Sequence, residues 1–167
     1  MNRNIEIKAR ILDVQRAEKL LDDIGCHRVA TFHQHDTFFA SKSGRLKLRV
    51  CSDGRSELIY YERPDESGPR LSEYKVCLIS EPEAVREVLS AALGVAGRVD
   101  KTRTLYLLGQ TRVHLDRVDD LGDFIEIEVV LKPDQTEEQG REIASGLFEL
   151  LGISGDDQIR CAYVDLL

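Results

Sequence analysis

The chain has 167 residues, 42% of them hydrophobic and 32% charged, and a formal net charge of −7 at pH 7. This length allows one substantial core, so a single domain over residues 1–167 is expected. The acidic balance disfavours a nucleic-acid partner, which requires a basic face. No apolar run reaches membrane-spanning length and no signal-peptide core is seen, so we expect a cytoplasmic protein without a membrane partner. The four scattered cysteines form no CxxC pair and support no zinc knuckle.

Three predicted helices have apolar residues at helical spacing and are therefore expected to pack on the rest of the chain. They run from a cap at Asp13 to Gly25, from Ser80 and Pro82 to Gly94, and from about Asp134 to Gly152. The residues expected to face inward on the second and third helices are Val85, Val88, Leu89, Ala92, Ile143, Ala144, Leu147, Phe148 and Leu151.

Strands are predicted for the rest of the chain, at about 4–10, 30–40, 44–51, 56–63, 71–79, 97–109, 111–117 and 123–131. So few helices among so many strands favour an antiparallel sheet. Turn residues at 109–110 and 52–55 indicate hairpins, and Gly122 separates the last two strands. Eight strands are enough to close a sheet around side chains or one small ligand.

Four of these strands are apolar on one side of the pleat and charged on the other, because alternate residues share a face. Residues 4–8 present Glu6 and Lys8, residues 45–49 present three cations, residues 112–116 present mixed charge and residues 124–128 present two carboxylates. An antiparallel sheet with one face in water shows the same alternation. Segregation by sign argues for a shared cavity instead, because like charges on one strand repel each other without a ligand.

The sequence resembles the CYTH proteins, also called triphosphate tunnel metalloenzymes, and within them it is most similar to the class IV adenylyl cyclase branch. The resemblance extends from about residue 4 to the C-terminus and rests on seven motifs in family order. They are Asn4-Ile5-Glu6-Ile7-Lys8, Gln34-His35-Asp36-Thr37-Phe38-Phe39, Gly44-Arg45-Leu46-Lys47-Leu48-Arg49, Arg63-Pro64-Asp65 with Gly68-Pro69 and Ser72-Glu73-Tyr74, Lys101-Thr102-Arg103, Arg112-Val113-His114-Leu115-Asp116, and Leu121-Gly122-Asp123-Phe124-Ile125-Glu126-Ile127-Glu128.

The resemblance implies an α+β fold: an eight-stranded antiparallel tunnel-like β-barrel with flanking helices. It also implies a small-molecule triphosphate substrate held with Mg²⁺ or Mn²⁺. The metal ligands it implies are Glu6, Glu126, Glu128 and, as a weaker amide ligand, Asn4. The substrate-binding residues are Lys8, Lys47, Arg49, Arg63, Lys75, Lys101, Arg103 and Arg112, and those assigned to catalysis are Lys8, Arg103 and Asp116. Each carboxylate could instead form a salt bridge in the lumen.

Two reactions are compatible with such a site. Attack of a ribose 3′-hydroxyl on the α-phosphorus of ATP gives cyclic AMP and pyrophosphate, whereas attack of water on the terminal phosphorus makes a triphosphatase of tripolyphosphate, thiamine triphosphate or nucleoside triphosphates. Asn4 replaces a family glutamate and Glu62 a lysine found in some relatives. These departures keep a third hypothesis open, a nucleotide- or polyphosphate-binding module with little turnover. A homodimer is an alternative to a monomer.

Two further histidine features are open at this stage. His33 and His35 could share a strand face, but without a third ligand two solvent-facing histidines are expected. His114 shares a face with Arg112 and Asp116, and it is interpreted either as a phosphate contact or as an ordinary lumen histidine.

Overall fold

Eight antiparallel strands close into a barrel in the structure, a computed structural model that describes residues Met1–Leu167. The strand order around the barrel is β1-β5-β4-β3-β2-β6-β7-β8. The strands are β1 Asn2–Arg10, β2 His27–Phe39, β3 Arg45–Cys51, β4 Ser56–Glu62, β5 Arg70–Leu78, β6 Val95–Leu108, β7 Thr111–Val118 and β8 Gly122–Val130. Each predicted strand is present within three residues of its expected ends, and the predicted closed α+β barrel is confirmed.

The barrel has its polar strand faces inside and much of its apolar surface outside, under helices. Outward-facing Ile5 and Ile7 of β1 and Val113 of β7 lie in a core of 17 buried residues that also includes Leu21 and Phe148. These last two belong to α1 (Val14–Asp23) and α3 (Glu137–Leu150). Burial of this apolar area outside the barrel leaves the lumen free to carry charge.

The helix ends agree with the sequence at α1 and differ at α3. The Asp13 side chain accepts a hydrogen bond from the backbone N–H of Arg16 at 2.9 Å, which is the predicted cap. Helix α3 begins three residues later than expected, because Thr136 and Gln139 form a reciprocal capping box there. Ile143 is 38% exposed on α3 instead of buried, whereas Ala144, Leu147 and Phe148 are buried as predicted.

Helix α2 (Pro82–Leu93) has no buried residue, and the expectation that it packs inward is wrong. The chain needs this segment to cross from β5 to β6, which lie on different sides of the barrel, and the helix contacts the outside of β2 and β3 sparsely. Val88, an expected inward residue, is 66% exposed. Periodicity predicts an apolar stripe but not the depth to which that stripe is covered. None of the three helices is long and apolar enough to cross a bilayer.

The C-terminal segment closes one end of the barrel. The Ile159 N–H donates to the Lys8 carbonyl at 2.9 Å, and the Arg70 guanidinium donates to the Arg160 carbonyl at 2.7 Å. A short 3₁₀ turn, Tyr163–Asp165, follows and packs Tyr163 into a second core cluster. The strand residues of that cluster are Phe38, Ile59, Tyr61, Val99, Val118 and Phe124.

Candidate functional site

The barrel encloses a cavity of about 260 Å³ whose lining is dominated by charge. Eight cationic side chains face five carboxylates, in a chain whose overall net charge is −7. The cations are Lys8, Lys47, Arg49, Arg55, Arg63, Lys101, Arg103 and Arg112, and the carboxylates are Glu6, Asp36, Glu57, Glu126 and Glu128. The lumen is therefore a positive region inside an acidic protein, which attracts anions.

On one side of the lumen, a single buried carboxylate joins two cations. The Asp36 carboxylate accepts from Arg49 Nε at 2.8 Å and Arg49 Nη2 at 2.7 Å, and from Lys47 Nζ at 3.1 Å. Asp36, Lys47 and Arg49 can meet because β2 pairs with β3 in the register that places Asp36 opposite Arg49. Burial opposes ionisation of Asp36, but the charges of Arg49 and Lys47 outweigh it and hold the Asp36 pKa well below its usual value.

Across the lumen, Arg103 connects two carboxylates. Its guanidinium binds both oxygens of Asp116 at 2.6 Å and donates to Glu126 at 2.7 Å. Lys8 Nζ lies 3.0 Å from Glu126 on the opposite side. Burial opposes ionisation of Glu126, but Lys8 and Arg103 hold its pKa well below its usual value. Lys8 and Arg103 thus share one carboxylate, each on a different oxygen.

Tyr163 of the C-terminal turn completes this network from the closed end. Its hydroxyl donates to Asp116 at 3.0 Å, and its ring lies under two ammonium groups, with Lys8 Nζ at 3.9 Å and Lys101 Nζ at 5.1 Å from the ring centroid. Burial and the Asp116 charge raise the pKa of Tyr163 well above its usual value, so its hydroxyl stays a donor.

Two lysines titrate near neutrality. Burial and the charge of Arg103 lower the pKa of Lys101 to about 7, and burial and the charge of Arg49 lower the pKa of Lys47 to about 8. An anion arriving beside these ammonium groups offsets the repulsion between them and the neighbouring arginines, Arg49 and Arg103. The electrostatics of the lumen therefore favour a ligand with several negative charges.

A carboxylate pair and a histidine form the one cluster with metal-ligand geometry. Ligand atoms of His114, Glu126 and Glu128 all lie within 4.8 Å of one another. Asn4, on the adjacent strand β1, is buried in the lumen wall, and its Oδ1 has no hydrogen-bond partner. Carboxylate and amide oxygens suit Mg²⁺ or Mn²⁺, and imidazole is accepted by the softer of the two. These residues fit a divalent ion.

Most residues implied by the family resemblance line the lumen together. Asn4, Glu6, Lys8, Lys47, Arg49, Arg63, Lys101, Arg103, Arg112, Glu126 and Glu128 all do so. Glu6 is paired with Arg63 and lies outside the metal cluster. Asp116 is fully buried behind the lumen surface and orients Arg103. Their roles toward a ligand remain predictions.

Lys75 is the implied residue that the structure places elsewhere. It is exposed on the outside of β5, whereas Ser72, Tyr74 and Val76 of the same strand face the lumen. Since alternate residues share a face, Lys75 cannot contact a lumen ligand, and its assignment to substrate binding is wrong. His33 and His35 are exposed on the outer face of β2, as expected for solvent-facing histidines.

Several residues of the site received no firm role from the sequence, among them Arg55 and Glu57. Asp36 and Gln34 are two residues apart on β2 and therefore share a strand face, so the sequence could have predicted that they lie together. His114 was left open between two interpretations, and the structure places it beside Glu126 at 3.4 Å. Tyr163 had no usable signal, because it lies in an irregular segment without periodicity.

Comparison with known proteins agrees with this architecture. The sequence matches the CYTH domain family over residues 2–163, so the chain belongs to that family. No curated protein sequence matches it. Among solved structures, the PH1012 protein from Pyrococcus horikoshii OT3 has 25% identity and a TM-score of 0.89, with 100% of this chain and 99% of that chain covered.

Two further structures share the fold at lower identity. A candidate adenylate cyclase from Vibrio parahaemolyticus has 18% identity and a TM-score of 0.83, with 98% and 96% of the two chains covered. A Hippeastrum protein, described as a candidate adenylyl cyclase with a dominant triphosphatase activity, has 18% identity and a TM-score of 0.63, with 97% and 91% covered. The family and the fold together define the class of protein as a CYTH barrel.

Proposed function

We propose that this protein is a divalent-metal-dependent phosphoryl-transfer enzyme that acts on a triphosphate inside the barrel. The observation that carries the proposal is the inversion of charge: eight cations line an enclosed cavity in a chain of net charge −7. Burying so many cations is costly unless carboxylates, water or a ligand compensate them. The five lining carboxylates and Asp116, which binds Arg103 from behind the lumen surface, leave two positive charges for an anion to neutralise when every lysine is protonated.

The proposed division of labour follows the contacts. Arg49 and Arg103 are held rigidly by Asp36 and Asp116, so their remaining donors point to a fixed place for phosphate oxygens. Lys47 and Lys101 supply point charges between them. Glu126, Glu128 and His114, with Asn4 beside them, would hold the divalent ion, which supplies charge neutralisation on phosphate oxygens when bound.

We place cyclisation of ATP to cyclic AMP and pyrophosphate first, because the sequence resembles the class IV adenylyl cyclase branch. Burial and the charge of Arg103 lower the pKa of His114, which favours the neutral imidazole that a metal ion requires.

Hydrolysis of the triphosphate is the second candidate. It is favoured by the polar lining around the proposed metal ligands, which suits water as the nucleophile on the terminal phosphorus. The dominant triphosphatase activity of the Hippeastrum protein supports hydrolysis as an outcome on this fold.

The test is to incubate the purified protein with ATP, GTP, tripolyphosphate or thiamine triphosphate in Mg²⁺ or Mn²⁺ and to resolve every product by ³¹P NMR and chromatography. Cyclic nucleotide with pyrophosphate supports the first candidate, and orthophosphate supports the second. Tight metal-dependent binding without product would assign the chain as a binding module, and neither binding nor turnover would refute the proposal.

A further inference from the structure

Two histidines on the outer face of β2 take no part in the proposed chemistry of the lumen. His33 and His35 are two residues apart, so their side chains share a face of the strand, and both are exposed, whereas Gln34 between them lines the lumen. Their imidazole rings are stacked, with centroids 5.8 Å apart and ring planes inclined by 13°. Two imidazoles held side by side in this way are a candidate pair of metal ligands.

The backbone that carries the two rings is fixed on both sides. Strand β2 pairs with β3 and with β6 over this segment, and the register places His35 between Val50 of β3 and Asp100 of β6. The backbone N–H of His33 also donates to the Ser52 hydroxyl at 2.9 Å. The side-chain torsions of the two histidines are therefore the freedom that remains for adjusting to a ligand.

The same nitrogen of each ring has a hydrogen-bond partner within the protein. The His33 Nδ1 lies 3.2 Å from the backbone carbonyl oxygen of Lys101, and the His35 Nδ1 contacts the Asp100 carboxylate. A carbonyl or carboxylate oxygen can only accept, so each Nδ1 carries the proton and is the donor in these contacts. In a neutral imidazole of that tautomer, Nε2 has the free lone pair that binds a metal ion.

These contacts are the ones that accompany metal-binding histidines in proteins. A histidine ligand almost always donates its second ring N–H to a carboxylate, a backbone carbonyl or water, which fixes the tautomer and the ring orientation. Here one ring has a carboxylate and the other a backbone carbonyl, and neither Nε2 has a hydrogen-bond partner in the protein. A zinc–nitrogen bond is about 2.0–2.1 Å long, so the rings must tilt toward each other to share one ion. Their exposure to solvent permits that rotation.

We propose that His33 and His35 form a second metal site, on the outside of the barrel, which takes a late first-row divalent ion such as Zn²⁺, Ni²⁺ or Cu²⁺. The Nε2 atoms of both rings are the ligands, water completes the coordination, and Asp100 is a positioning residue that orients His35. Imidazole nitrogen suits these ions, whereas Mg²⁺ prefers oxygen ligands, so the outer site differs in selectivity from the carboxylate-rich cluster in the lumen. This proposal is independent of the proposed function.

The direct test is long-range ¹H–¹⁵N NMR of the imidazole rings in the full chain, recorded during a titration with Zn²⁺. The chain has four histidines, so single variants assign every ring. We expect the His33 and His35 rings to carry the proton on Nδ1 before Zn²⁺ is added, and their Nε2 signals to shift together with one common midpoint. The His114 signals report separately on any ion in the lumen. Separate midpoints, a shift of one ring alone, or no shift of either would overturn the proposal.

Calorimetric titration with Zn²⁺ separates the ligands from the positioning residue. His35→Ala removes a ligand and should lower the affinity by about 100-fold, and Asp100→Ala by about tenfold, because even an outer-shell partner is typically worth about 10- to 100-fold. In Asp100→Ala the His35 ring should also show both tautomers by NMR, which a merely structural role would not produce. His27→Ala removes another exposed histidine of β2 and is the matched control, with unchanged affinity expected. Equal Zn²⁺ affinity in His35→Ala and the wild type would overturn the outer site and leave the triphosphate enzyme standing.

Discussion

The two sides of the lumen carry the same kinds of side chains in opposite proportions. The basic wall, on β2, β3 and β6, has one carboxylate, Asp36, for four cations, Lys47, Arg49, Lys101 and Arg103. The acidic wall, on β7 and β8, has one arginine, Arg112, for three carboxylates, Asp116, Glu126 and Glu128, with His114 beside them. A surplus of cations favours phosphate and a surplus of carboxylates favours a metal ion. We therefore assign phosphate binding to the basic wall and metal binding to the acidic wall.

The largest predicted effect comes from the acidic wall. Glu126→Gln removes a proposed metal ligand that also holds Lys8 and Arg103, so we expect metal-dependent turnover to fall by about 10²- to 10³-fold. Steady-state kinetics and Mn²⁺ titration followed by electron paramagnetic resonance measure the two consequences. Glu73→Gln on the outer face of β5 is the control. Unchanged Mn²⁺ affinity in Glu126→Gln would contradict the assignment of this wall to the metal.

The basic wall should affect binding more than turnover. Lys47→Met removes one ammonium and leaves Asp36 paired with Arg49, so we expect KM for the triphosphate to rise by about 10- to 100-fold with a smaller change in kcat. Arg117→Met, an exposed cation on β7, provides the comparison and should change KM by less than about twofold. A loss confined to kcat would mean that the walls do not divide the work as described.

The affinity for an anionic ligand should depend on pH through the lysines of the basic wall, by about tenfold. Lys101, with a pKa of about 7, and Lys47, with a pKa of about 8, lose their charges at alkaline pH, while Arg49 and Arg103 do not. Calorimetric affinity of metal-free protein for tripolyphosphate should therefore fall from pH 6 to 9, relative to a Lys101→Met variant. Parallel curves for the two proteins would refute the involvement of Lys101.

The same lysines predict the opposite trend for stability. Between pH 7 and the usual lysine pKa of 10.5, the unfolded chain binds the Lys101 proton and the folded chain does not. The unfolding free energy contributed by Lys101 therefore rises with pH across this window. Urea unfolding at pH 6.5 and 9 measures the difference, which should be reduced in Lys101→Met.

The smallest expected effect tests how the C-terminal segment supports the acidic wall. Tyr163→Phe keeps the ring under Lys8 and Lys101 but removes the donor to Asp116, so we expect kcat to fall by about fivefold and stability by about 1 kcal/mol. Tyr106→Phe, at a tyrosine buried in the other core cluster, separates general destabilisation from loss of activity. Equal kinetic losses in both variants would argue against a positioning role for Tyr163.

Much of the site was predictable because alternation fixes which residues share a strand face. The period of two placed Glu6 with Lys8, Lys47 with Arg49, and Glu126 with Glu128 on inward faces, and closure brought them together. Lys75 was misplaced because polar and apolar residues do not alternate clearly on β5, so the face was not determined. Tyr163 could not be predicted, because its contact with Asp116 joins residues 47 positions apart through an irregular segment.

The sequence also could not predict which carboxylate pairs with which cation within each wall. Glu6 could bind a metal ion or pair with Arg63. The outcome depends on where the segment after β4 places the Arg63 side chain, and tertiary contacts set that position. Helix α2 gives the same lesson at the level of packing, since its apolar stripe was predicted and its exposure was not.

The most direct measurement is a crystal structure with tripolyphosphate and Mn²⁺, with data collected at the manganese absorption edge. The account predicts an anomalous peak at coordination distance from Glu126 and Glu128, and triphosphate density contacting Lys47, Lys101 and Arg103. Manganese and phosphate confined to the outer surface, with an empty lumen in an otherwise unchanged barrel, would contradict it.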